Sequence, residues 1–174
     1  MPRPRVKWKP PNASCFKIIF DGAIFRNENK SGIRVVIQDH IGSIIASLAQ
    51  LISPALQPAK IEAVVAAQAL EFGHEIGISG AVLEGNSKLI IKFLKVGGNT
   101  IALVEPLIQD AIVFSNFYSK LLYSHCKRED NKLAHSLARY SINVSDYVVW
   151  MEEVSNPLFS VAQHDLANLA NQFQ

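Results

Sequence analysis

Apolar positions between residues 15 and 50 fall into three short runs separated by polar breaks. The first run, residues 15–23, is apolar at positions 15, 16, 18, 19 and 20, and predicts a central strand covered on both faces. It ends in Asp21-Gly22. Glycine permits backbone angles that interrupt a ladder, so this pair reads either as the turn that closes the strand or as a carboxylate delivered to the strand's end. Residues 25–30 are a polar loop and residues 33–39 a β-branched strand. Asp39-His40-Ile41-Gly42 is a hairpin turn and residues 43–50 a third strand, which together make an antiparallel meander.

The period changes at Pro58. Residues 59–72 are alanine-rich and bring Ile61, Val65, Leu70 and Phe72 near one face, a long helix with proline in its first turn. Glu62 stands among these apolar residues, and either faces solvent beside Lys60 or is held at a site. Residues 81–87 form a short strand running into a helix over 88–94, with Asn86 and Ser87 as candidate caps. Gly97-Gly98-Asn99 stops that helix. A further helix is predicted over 102–118 with Pro106 in its first turns, a fifth strand over 121–126, and a helix over 132–141 capped by Asp130-Asn131. The order βββαβααβα favours parallel crossovers and a mixed sheet with helices on both faces. Residues 1–14 read as a basic, proline-rich arm, 15–143 as the domain, and 144–174 as an appended segment. That segment contains Tyr147, Trp150 and an amphipathic helix starting at Pro157, and is expected to fold back or dock on a partner.

A chain of 174 residues suits one domain. No apolar run approaches the ~18 residues of a membrane span, and the first residues lack the apolar core of a secretory signal. No membrane association or export is expected, and the compartment is read as intracellular, nucleus or cytoplasm. Cys15 and Cys126 have no partner at short spacing, which excludes a zinc site or a disulfide framework and leaves two reduced core residues. The net charge of +2 is uneven. Arg3, Arg5, Lys7 and Lys9 leave 13 basic against 15 acidic residues, a balance of −2, for everything after residue 9. The body therefore lacks the electrostatic footprint usual for a nucleic-acid binder. The arm either compensates or is a solvated linker.

Several short motifs carry a resemblance. Trp8-x-Pro10-Pro11, Lys17-x-x-Phe20-Asp21-Gly22-Ala23, the strand over 32–39, Glu62-Ala63, Glu84-Gly85-Asn86-Ser87 and Arg128-Glu129-x-Asn131-x-x-Ala134-His135-x-Leu137-Ala138 occur in this order. Together they resemble the ribonuclease H type 1 domain of plant reverse-transcriptase-like, retroelement-related proteins, over residues 8–155. The resemblance implies an α/β, three-layer ribonuclease H-like fold, with a mixed five-stranded sheet and helices on both faces. It implies a site built from Asp21, Glu62, Asn86 and His135, with His125 at the position of a proton-shuttling histidine or else facing solvent. Asp21, Glu62 and Asn86 would be the ligands of Mg²⁺ or Mn²⁺ in two-metal hydrolysis of the RNA strand of an RNA–DNA hybrid.

Two positions depart from the family pattern. Asn86 replaces an aspartate and His135 stands where aspartate is common, so the formal charge of the site falls from −4 to −2 and metal binding is weakened. Glu84, on the same strand face as Asn86, is either a substitute ligand or a surface acid. The connector over 96–100 is short and uncharged, which leaves hybrid binding to Lys88, Lys92, Lys127, Arg128 and the arm, through the backbone and the 2′-hydroxyl. Two functions follow from the resemblance: a weakened hybrid endoribonuclease, or an inactive module that binds nucleic acid or a protein. A monomer without a small-molecule cofactor is expected. If the arm contributes to nucleic-acid binding, deleting residues 1–9 lowers both hybrid affinity and its salt dependence in a fluorescence-anisotropy titration. An unchanged slope identifies the arm as a linker.

Overall fold

Strands β1 (Phe16–Phe25), β2 (Lys30–Gln38) and β3 (Ile44–Ile52) form the expected meander, in a computed structural model that describes residues 15–97, 104–127 and 147–151. The β2–β3 turn is held by Asp39, whose Oδ1 accepts the backbone N–H groups of Ile41 at 3.0 Å and Ser43 at 2.9 Å. Strand β1 does not end at Asp21. Asp21 pairs with Arg34 and Gly22 with Ile33, and the ladder continues to Phe25 opposite Lys30. Gly22 is needed for space instead, since a Cβ there would lie 2.8 Å from Cγ1 of Ile61.

Ile61 belongs to α1 (Pro58–Glu75), the long helix that the alanine-rich period predicts, with Pro58 in its first turn. The chain returns as β4 (Gly80–Gly85), parallel to β1, then forms α2 (Lys88–Val96) and α3 (Glu105–Ser115) before β5 (Lys120–His125), parallel to β4. Ser87 Oγ accepts from Ile90 N to cap α2, and Gly97, in a left-handed conformation at φ 70°, ends it. The sheet is mixed, in the order β5-β4-β1-β2-β3-β6, and among the described residues it has six strands rather than the expected five. The sixth, β6 (Tyr147–Met151), comes from the stretch read as appended and pairs antiparallel with β3. The arm over 1–14 and the helices expected over 132–141 and after Pro157 lie outside the described residues.

Alternation sorts the residues of β1 onto two faces. Ile18, Phe20 and Gly22, with Ile33, Val35 and Ile37 of β2 and Leu83 of β4, meet Ile61, Val65 and Leu70 of α1 in the apolar core. Helix α3 packs beside α1, and Tyr118, just after it, donates its hydroxyl to Leu70 O at 2.6 Å. Burial raises the pKa of this phenol above its ordinary value, outweighing the backbone hydrogen bond at His74 that lowers it, so Tyr118 stays a neutral donor. Cys15 and Cys126 are buried and not joined in a disulfide, as expected of core residues. Among the described residues no helix is long and apolar enough to cross a membrane.

The opposite face of the sheet is also buried, and among its apolar residues it carries polar and charged ones. Lys17 and Asp21 of β1, Arg34 and Gln38 of β2, Ser47 of β3 and Glu84 of β4 are all inaccessible or nearly so. Lys17 Nζ and Glu84 Oε2 lie 2.9 Å apart in a buried ion pair that ties β1 to β4. Breaking such a pair from one side leaves an uncompensated buried charge. Glu84→Gln is therefore expected to lower stability by about 3–5 kcal/mol in urea denaturation, whereas the double change Lys17→Met with Glu84→Leu costs far less.

Candidate functional site

Asp21 is fully buried in the middle of β1, and Asn86 reaches it from the end of β4. Ile19 is in register with Glu84, so Glu84, and Asn86 two residues later, share the face of Asp21. Gly85 lets the two strands close there, because a Cβ at Gly85 would overlap the Phe20 ring. Ser87, rather than Asn86, supplies the cap of α2. The Asn86 side chain is thereby left to Asp21, and its Nδ2 donates to Asp21 Oδ1 at 3.3 Å.

Glu62 comes from the first turns of α1, the segment in which Ile61 packs on Gly22, the residue after Asp21. Its side chain is partly buried, with Oε2 shut off from solvent. His125 is exposed at the end of β5, in register with Gly85, and its Nε2 lies 3.2 Å from the backbone oxygen of Asn86. In the tautomer that carries its proton on Nε2, the ring donates to that carbonyl. It is thus both solvent-facing and attached to the site. Glu84 is neither a substitute ligand nor a surface acid, because its carboxylate is buried against Lys17. His135 and Arg128 lie outside the described residues.

Arg34 was not a candidate from the sequence, although a cation inside the run Ile33-Arg34-Val35-Val36-Ile37 was the available signal. It is the largest fully buried side chain among the described residues, directly opposite Asp21 in the β1–β2 ladder, with Nη1 donating to Leu48 O at 2.8 Å.

A divalent cation of the hard class needs several oxygen ligands. Asp21 and Glu62 can offer carboxylates, but Asn86 presents an N–H to Asp21. Were its amide turned over, its oxygen would face the carboxylate in mutual repulsion. The described residues contain no group of three or more His, Cys, Asp or Glu placed to hold a metal. Two cations are already buried on this face, Lys17 against Glu84 and Arg34 opposite Asp21 in the ladder. The described donors do not fit a two-ion centre.

The exposed basic residues are arranged more simply. Helix α2 buries Ile90, Ile91 and Leu94, and turns Lys88, Lys92 and Lys95 to solvent at intervals of four and three residues, one face of the helix. No acidic residue occurs in α2. Lys95 extends the expected pair, and the same interval rule applied to the sequence would have found it. Lys127 is exposed just beyond β5.

Comparison with curated protein sequences finds no match. Among solved structures, the chain is similar to the RNase H1 of the halophilic archaeon Halobacterium salinarum, with a TM-score of 0.68 at 22% identity over 74% of this chain and 98% of that one. It is similar to the N-terminal RNase H domain of a Mycobacterium tuberculosis protein, with a TM-score of 0.67 at 19% identity over 74% and 94%. It is also similar to LC11-RNase H1, isolated from compost by a metagenomic approach and solved with an RNA/DNA hybrid, with a TM-score of 0.65 at 22% identity over 74% and 96%. At such identities these likenesses establish the ribonuclease H fold. The sequence itself matches the reverse transcriptase-like family over residues 19–141, from β1 through β5 and beyond, so the chain belongs to that family and carries its ribonuclease H-like domain.

Proposed function

We propose that the domain binds nucleic acid, an RNA–DNA hybrid in the first place, and that it lacks efficient two-metal hydrolysis. The observation that supports binding is the row Lys88, Lys92 and Lys95, exposed on a helix that begins two residues after Asn86 and contains no acid to oppose it. Lysines at this spacing meet successive phosphates as point charges, reading backbone shape rather than sequence. The hybrid bound in the solved LC11-RNase H1 complex makes this duplex the first ligand to try. The observation that supports weak hydrolysis is the Asn86 amide set against Asp21, where a hard cation would need another oxygen.

Three measurements test this reading. Replacing Lys88, Lys92 and Lys95 together by alanine is expected to weaken hybrid binding and to flatten the plot of log affinity against log salt by up to about three units, about one for each phosphate no longer neutralised. An unchanged slope removes the helix from the interface. Incubating an end-labelled hybrid with the protein in Mg²⁺ or Mn²⁺ is expected to leave the RNA strand uncut at concentrations that saturate binding, and rapid cleavage would overturn that half of the proposal. Asn86→Asp sets two carboxylates against each other where the amide now donates across 3.3 Å. The variant is expected to melt lower than the parent in EDTA and to recover on addition of Mn²⁺, because the ion then relieves the repulsion.

A further inference from the structure

The mismatch between the site and a two-ion centre has a specific source on β2. Strand partners in an antiparallel ladder place their side chains on the same face with Cβ atoms about 4.5–5.5 Å apart, and Asp21 is partnered by Arg34. Both residues have no accessible surface. The guanidinium is anchored through the 2.8 Å bond from Nη1 to Leu48 O, so it is held in the sheet rather than free to swing out to solvent. Arginine keeps its proton at any ordinary pH, so this is a permanent positive charge. Around it Lys17 is paired to Glu84, and Arg34 stands opposite Asp21 in the ladder, on the same buried face.

We propose that Arg34 is the resident counter-charge of Asp21, an internal cation that satisfies the buried carboxylate and makes the site refractory to divalent metal. A divalent ion entering beside Asp21 would meet a fixed charge of its own sign in a medium that screens poorly. The inference rests on the proposed weak hydrolysis only in taking Asp21 as part of the site. It adds the residue responsible, and it concerns metal affinity and charge coupling rather than nucleic acid.

The test uses the whole chain without nucleic acid. Mn²⁺ is titrated by calorimetry into the parent, Arg34→Met and Arg34→Lys. The expected result is no saturable binding to the parent or to Arg34→Lys, and at least a tenfold gain in affinity for Arg34→Met, accompanied by a rise in melting temperature on adding Mn²⁺. Equal Mn²⁺ affinity in the parent and Arg34→Met would overturn the proposal. Should Arg34→Met not fold, a thermal-melt cycle with Asp21→Asn decides the matter. If the two charges satisfy each other, Asp21→Asn with Arg34→Met folds, or melts higher than Arg34→Met alone. A double variant no more stable than Arg34→Met would show that Arg34 serves only the core, and would also overturn the proposal. Hybrid binding through the lysines of α2 is untouched by either outcome, so failure here is distinguishable from failure of the nucleic-acid reading.

Discussion

Charge taken out of water must be balanced where it lies, and β1 imposes that constraint on the rest of the domain. Lys17 and Asp21 stand on one face of the strand, four residues apart and both buried. Strand β4 answers the first with Glu84 and reaches the second with Asn86, while β2 sets Arg34 opposite Asp21. A one-residue slip of either neighbour would turn these groups into the apolar core and bring aliphatic side chains against the charges. The polar face therefore specifies register on both sides of β1. The apolar face supplies the stability, with α1 seated on Gly22 and the Phe20 ring filling the space over Gly85.

The same constraint separates binding from chemistry. A hydrolytic centre of carboxylates depends on an excess of buried negative charge that an incoming cation relieves, and a guanidinium buried on the facing strand reduces that excess. Recognition of a phosphate backbone has no such requirement, since exposed lysines work from the surface. Helix α2 keeps Lys88, Lys92 and Lys95 in solvent whatever happens at Asp21. A domain of this fold can therefore change its catalytic face and still present a basic helix to a duplex.

Much of the architecture was legible in the residues alone. The order of strands and helices follows from local pattern: the apolar run over 15–23, the β-branched run over 33–39, the alanine-rich period of α1, and the N-cap signal at Asn86-Ser87 before α2. Asp21, Glu62 and Asn86 were legible as motif residues, and the structure joins Asp21 to Asn86 directly. The end of β1 was misplaced because Asp-Gly is a turn signal in isolation. Here Gly22 is chosen for the closeness of Ile61, a contact with a residue 39 positions later.

What only the tertiary structure decided was the fate of each charge. Glu84 read as an exposed acid or a spare ligand, and became the buried partner of Lys17, because parallel pairing of β4 with β1 brings residues far apart in the chain to 2.9 Å. Arg34 read as a cation inside a strand, and became the group facing Asp21. Strand β6 lies in the stretch read as an appended segment, and exists through its pairing with β3. Sequence by itself determined the strands and helices between residues 16 and 125 in their order, since apolar runs and helical period are set by neighbours within a few residues. Folding decided which charges meet, since strand register is a relation between distant segments and buried electrostatics depends on distance in space.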